Sequence, residues 1–202
     1  MKLIVGLGNH DIKYLKTRHN LGFLCLDKLL ESLKPLDKTF WDDKKELKSL
    51  VSKSQNLFGE QIVLAKPTTY MNNSGFAVKL LLTKYKLLST DLIIVHDDID
   101  LPIGKIRVRM GGAAGGHRGV ESLIQVLGTD KFLRVRLGVG HPQRGSEGEK
   151  MRSNQSVEDY VLSDFTSAET GKVRTMQKEV IKIVKLLVKK GIDEYMSKYN
   201  KK

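Results

Sequence analysis

Short apolar runs broken by polar clusters organise this chain. Leu3–Val5, Ile62–Ala65 and Leu92–Val95 are apolar at every position, the pattern of strands buried on both faces. Gly104–Met110 instead alternates, with Ile106, Val108 and Met110 on one side and Lys105, Arg107 and Arg109 on the other. That predicts a half-exposed strand with a basic outer face, and Phe132–Gly140 reads the same way. Leu47–Asn56 and Gln61–Ala65 are predicted to pair as a hairpin across Asn56-Leu57-Phe58-Gly59. Helical spacing runs from Thr17 to Leu33, through Leu21, Leu24, Cys25 and Leu29. It recurs from Ser74, with Phe76, Val78, Leu81 and Leu82 facing inward, and again over Gly119–Leu127. Thr166-Ser167-Ala168-Glu169 has the form of a capping box. The helix after it carries Val173, Met176, Val180, Ile183, Val184 and Leu187 on one stripe. Gly111–Gly116 is predicted to be a flexible loop, and 142–155 a mobile loop or lid. Strands alternating with helices, without repeat or linker, predict an α/β fold. The expectation is one domain over 1–197, with a twisted mixed, largely parallel β-sheet flanked by helices, and a frayed basic tail at 198–202.

Each fully apolar run stops at a polar cluster. Leu3–Val5 enters Gly6-Leu7-Gly8-Asn9; Ile62–Ala65 enters Lys66-Pro67-Thr68-Thr69-Tyr70-Met71-Asn72-Asn73; Leu92–Val95 enters His96-Asp97-Asp98. Open α/β sheets bind ligands beyond the carboxyl ends of parallel strands, so these clusters are expected to share one edge. Thr17-Arg18-His19-Asn20 adds an imidazole that titrates near neutrality.

The charge narrows the partners. With 35 Lys and Arg against 23 Asp and Glu in 202 residues, the formal net charge is +12, a balance that suits phosphate polymers. Aromatics are only 6%, too few for a set of base-stacking platforms, so backbone and shape are the expected recognition targets. One cysteine, Cys25, excludes an internal disulfide and a multi-cysteine metal site. Its apolar helical setting predicts a buried thiol. No signal-peptide core or charge-free membrane span is evident, which predicts a cytoplasmic protein.

Several chemistries lack their parts. Gly6-Leu7-Gly8 follows a strand, but the third glycine of a dinucleotide fingerprint is Asp11, and there is no Walker motif. The five histidines form no zinc-helix pair. No Gly-x-Ser-x-Gly elbow supplies a serine nucleophile; Ser74 reads as a helix-capping residue. What remains is a base and a water: His19 to take a proton, Asp97 to fix its tautomer, and Asn9 and Asn72 as neutral donors to an oxyanion.

Taken in order, these blocks resemble the bacterial peptidyl-tRNA hydrolase family. The likeness runs from Leu3 to about Phe165 and adds Asn73-Ser74-Gly75, Ile99-Asp100-Leu101-Pro102, Gly111-Gly112-Ala113-Ala114-Gly115-Gly116-His117 and Arg136-Leu137-Gly138-Val139-Gly140-His141-Pro142. The resemblance implies that family's fold and hydrolysis of the ester between a peptide and the terminal ribose of tRNA. It implies His19 as general base, Asp97 as its orienting partner, and Asn72 and Asn9 as groups holding substrate and intermediate. Tyr70, Met71, Asn20, His117 and Arg118 would contact substrate. Lys105, Arg109 and Arg136 would grip the tRNA phosphate at the acceptor end. No metal or organic cofactor, membrane or obligate protein partner is implied, and a monomer is expected.

Two departures from the family pattern stand out. His10-Asp11 replaces the usual Pro-Gly of the first turn, and Arg118 stands where Asn commonly follows the histidine. Arginine cannot accept a hydrogen bond, so its expected contact is a peptide carbonyl or a phosphate. The competing reading is a non-catalytic RNA-binding relative of the same fold. Retention of His19, Asp97 and Asn72 argues against it.

Overall fold

The computed structural model describes residues 1–33, 41–57, 60–142 and 156–199. Its strands are β1 (Lys2–Gly6), β2 (Asp42–Lys44), β3 (Ser49–Leu57), β4 (Glu60–Pro67), β5 (Leu92–Asp98), β6 (Ile106–Met110) and β7 (Leu133–Gly138). Its helices are α1 (Leu21–Ser32), α2 (Ser74–Tyr85), α3 (Arg118–Leu127), α4 (Val157–Val161) and α5 (Ser167–Tyr199). Among the described residues the strands form one sheet in the order β2-β3-β4-β1-β5-β7-β6. β4-β1-β5-β7 is the parallel centre, and β2, β3 and β6 are added antiparallel at the two margins. The hairpin expected at 47–65 is β3–β4; its tip, Phe58-Gly59, lies outside the described residues.

The apolar runs are explained by two cores, one on each face of the sheet. Ile4, Ile62, Leu64, Ile93 and Val95 pack with α1 and α5. Their neighbours Leu3, Val5, Val63, Ala65, Leu92 and Ile94 pack with α2 and α3. A strand covered on both faces has no polar positions to alternate with. Each fully buried Leu or Ile contributes roughly 1.5–3 kcal/mol. At the β6–β7 margin the apolar packing lies on one face, where Val108, Val135 and Leu137 join the α1–α5 core. Register places Arg107 beside Arg136 and Arg109 beside Arg134 on the opposite face. Met110 and Phe76, both expected inward, are 41% and 48% exposed.

Close backbone approach brings α1 onto the sheet edge. A Cβ on Gly22 would stand 2.4 Å from the Val95 carbonyl oxygen and 2.5 Å from that of Leu7. The glycine lets the turn at 18–20 lie over the ends of β1 and β5. Cys25 is buried in α1, and burial pushes its thiol well up. α5 runs to Tyr199, two residues into the stretch expected to fray; 200–202, and 143–155 of the expected lid, lie outside the described residues.

Candidate active site

Strand alternation distributes the β5 residues. Asp97 shares the face of Ile93 and Val95, where α1 packs, and so meets His19 ahead of that helix. His19 Nδ1 stands 3.0 Å from both Asp97 carboxylate oxygens. A second imidazole reaches the same carboxylate: His117 Nε2 is 3.0 Å from Oδ1.

The partners decide the tautomers. His117 is the N-cap of α3, and its Nδ1 accepts from the backbone N–H of Gly119 at 3.1 Å and Val120 at 3.3 Å. Its proton therefore sits on Nε2 and is donated to Asp97. His19 likewise donates from Nδ1, leaving Nε2 as the nitrogen for a ligand in the cavity. His96, on the other face of β5, donates from Nδ1 to the Asp97 carbonyl at 2.7 Å and sets its ring edge-on to His117, 4.7 Å between centroids.

Burial would lift the Asp97 carboxyl, but the His19 and His117 imidazoles hold it far below the usual carboxylate range. Burial lowers His19, yet the charge and hydrogen bond of Asp97 outweigh it, and His19 ends above an ordinary imidazole. His96 lies well below one, through burial first and the His117 ring second. The ligand-type atoms of His19, Asp97 and His117 lie within 4.8 Å of one another. Hydrogen bonds from both imidazoles to the Asp97 carboxylate tie the three side chains into one unit.

This unit floors a cavity of about 620 Å³ walled also by Asn9, Tyr14, Tyr70, Met71, Asn72, Asn73, Arg118, Glu158 and Leu162, among others. Asn9 is buried, and its Oδ1 accepts from the Met71 N–H at 3.0 Å, which leaves its NH₂ as a donor. Asn72 follows Met71 and is exposed in the wall. Asn20, expected to touch substrate, does not line the cavity. It is fully buried behind Asn9 and spends its carboxamide on that residue's backbone, accepting from N–H at 2.7 Å and donating to C=O at 2.9 Å. Ser74 does not cap α2 with its side chain; its hydroxyl donates back to the Met71 carbonyl at 2.9 Å.

The two departures have simple accommodations. Asp11 takes an extended conformation at negative φ, so no glycine is needed there, and its carboxylate accepts from the Tyr70 hydroxyl at 3.3 Å. Arg118 is exposed and makes two bonds, of 3.0 and 3.3 Å, to the Glu158 carboxylate across the cavity wall.

The glycine loop expected to be flexible is tied down. Arg134, buried on β7, donates from Nη1 to the Ala113 carbonyl at 2.8 Å and from Nη2 to that of Gly111. Asp130 accepts from the Gly112 N–H at 2.7 Å. Positive φ at Gly111, Gly112, Gly115 and Gly116 then shapes a fixed path toward His117. Lys105, Arg109 and Arg136 stay outside the cavity wall. Lys105 and Arg109 are exposed, and the Arg109 guanidinium lies against Gly112, where an added Cβ would stand 2.6 Å from its Cζ. Arg136 Nε donates to Asp98 Oδ2 at 2.5 Å.

Sequence reasoning assigned no role to Tyr14, Glu158 or the short helix α4, all of which contribute to this site, and gave His96 none beyond its place in the His96-Asp97-Asp98 cluster. Their signal is not local, because α4 joins the cavity only through tertiary contacts.

Sequence and fold are both similar to those of known proteins. The sequence model of a family described as peptidyl-tRNA hydrolase matches residues 3–202. The peptidyl-tRNA hydrolase of Dehalococcoides mccartyi (strain CBDB1) is 41% identical over 200 residues, 99% of this chain and 100% of its own length. That of Aquifex aeolicus (strain VF5) is 42% identical over 185 residues, 90% of this chain and 87% of its own. The crystal structure of peptidyl-tRNA hydrolase from Acinetobacter baumannii superposes with a TM-score of 0.84 at 30% identity, covering 98% of this chain and 93% of that one. The chain belongs to the peptidyl-tRNA hydrolase family.

Proposed function

We propose that this protein hydrolyses peptidyl-tRNA with His19 as general base. The observation that carries the reading is the His19–Asp97 pair, which commits Nδ1 and leaves Nε2 for the cavity. Nε2 takes a proton from water, and the hydroxide oxygen bonds to the ester carbonyl carbon. Asp97 stabilises the imidazolium so formed. The Asn72 carboxamide and the Asn9 NH₂ donate to substrate and to the oxyanion. Collapse breaks the bond to the ribose oxygen, which leaves with the proton held by His19, giving a free peptide acid and tRNA. An ester of this kind is reactive enough that a base and an oxyanion site suffice.

Selection against aminoacyl-tRNA follows from the same groups. A cavity that hydrogen-bonds the first peptide amide leaves buried polar groups unpaired when a free ammonium takes its place. Tyr70 and Met71 line this cavity, with Arg118 at its wall, and would face the peptide. The protein acts as a cytoplasmic monomer on this reading. No described helix is long and apolar enough to cross a membrane. The test is parallel incubation with N-acetylaminoacyl-tRNA and aminoacyl-tRNA in the presence of a chelator. Cleavage of the first alone is expected; equal cleavage of both, or of neither, would overturn the reading.

Arg109, with Lys105 and Arg136, is proposed to hold the terminal phosphate of the acceptor end. Arg109→Ala is expected to reduce the salt slope of tRNA binding by about 0.7–0.9, the loss of one phosphate contact, while hydrolysis of a short ester substrate is unchanged. Binding measured against salt concentration checks this, and a slope equal to wild type would remove Arg109 from the interface.

A further inference from the structure

Arg18 immediately precedes His19, and its side chain is only 5% exposed. Nη1 donates to the Ser163 hydroxyl at 2.7 Å, the Ser163 carbonyl at 3.2 Å and the Asp164 carbonyl at 2.6 Å; Nη2 donates to Glu169 Oε2 at 2.7 Å. The guanidinium also stacks near Tyr160 and Phe165, 4.3 and 5.2 Å from the ring centroids. Backbone contacts run beside it. The Arg18 N–H donates to the Ser163 carbonyl at 3.1 Å, and Thr17 bridges to Asp164. Every one of these partners lies between residues 160 and 169.

The anchoring segment is itself fixed at both ends. The Tyr160 hydroxyl donates to the Val139 carbonyl at 2.6 Å, just past β7. Glu169 Oε2 also accepts from the Thr166 N–H at 2.7 Å, the glutamate half of the capping box at the start of α5. Val157, Glu158, Val161 and Leu162 of this segment wall the cavity. One guanidinium thus joins the wall of the cleft to the turn that carries His19. A planar fork with fixed donors sets orientation as well as position, which an ammonium on a flexible stem does not.

We propose that Arg18 is a positioning residue for the reaction: it bolts the 17–20 turn to the α4–α5 segment, so that His19 keeps one ring nitrogen on Asp97 and presents the other to the cavity. The proposal rests on the reading of His19 as general base. The charged groups that bear on His19 are Asp97, Arg118 and Glu158, with the His117 ring 4.8 Å away, and the substitutions below leave all four in place.

The experiment compares wild type, Arg18→Ala, Arg18→Lys and Glu169→Gln on N-acetylaminoacyl-tRNA across pH, with thermal melts to establish folding. In Arg18→Ala, kcat is expected to fall about 10–100-fold, the scale of an ångström-level misplacement, with KM within about threefold of wild type. The acid limb should move to lower pH as the imidazole loosens from Asp97. Added guanidinium ion, far below denaturing concentrations, should restore kcat in Arg18→Ala but not in Arg18→Lys, whose ammonium fills the site. Glu169→Gln should shift kcat and the acid limb in the same direction by less. A folded Arg18→Ala with wild-type kcat, or with lowered kcat but an unmoved acid limb and no guanidinium response, overturns the proposal. Should Arg18→Ala not fold, an unchanged kcat and acid limb in Glu169→Gln does the same. Wild-type protein inert on this substrate would sink the hydrolase reading and this proposal together, whereas an active wild type beside an unaltered variant sinks the proposal alone.

Discussion

Replacing Asp97 by asparagine is expected to lower kcat by about 10⁴-fold, the cost of a carboxylate-to-amide change that imposes the wrong imidazole tautomer. The size follows from the asymmetry of its two partners. His117 cannot change tautomer without giving up the Gly119 and Val120 N–H groups at the start of α3, so its Nε2–H claims the amide oxygen. The NH₂ then faces His19 Nδ1, which must become an acceptor. The His19 proton moves to Nε2, and the lone pair that would take a proton from water is gone. The acid limb of any residual activity should also drop, since burial then acts on His19 without the charge of Asp97 against it. Steady-state kinetics across pH check both effects. A kcat within tenfold of wild type would show that the carboxylate does not set the tautomer.

His19→Ala should reduce kcat by about 10²–10⁴-fold, the usual contribution of a positioned general base, with little change in KM. A general base at His19 would work only when unprotonated. Because Asp97 raises His19 above the ordinary imidazole value of about 6.5, kcat/KM should decline as pH falls through a point higher than that. Stability runs the other way. A group raised on folding contributes stability fully below its unfolded value and loses it as pH rises through the folded one. The pair therefore stabilises the fold most where the base is least active, and Tm should ease downward over the pH range in which the rate climbs. A pH–rate profile beside melts at matched pH tests both trends. Activity unchanged in His19→Ala would refute the mechanism.

The parts of the fold most open to reading from sequence were those governed by burial. Leu3–Val5, Ile62–Ala65 and Leu92–Val95 are apolar throughout because helices cover both faces. The alternation at 106–110 and 133–137 separates an apolar face packed against α1 and α5 from a basic one. The convergence of His19 and Asp97 came from ordered motif blocks, since nothing local to either residue announces the other 78 positions away. Arg18 drew no notice because its anchors lie 145–151 residues distant. Asn20 sits inside a motif, yet its carboxamide serves the backbone of Asn9, a use that residue type alone does not distinguish from ligand contact. The glycine loop shows how composition misleads: glycine permits freedom, and Arg134 and Asp130 remove it.

Asp97 receives one imidazole from the turn ahead of α1 and another from the N-cap of α3, helices that pack on opposite faces of the sheet. The reacting centre is thus also a rivet through the three-layer sandwich. Sliding of either helical layer along the strands would stretch these bonds. On the proposed mechanism, a shift of either helical layer would therefore be felt at the bond between His19 and Asp97.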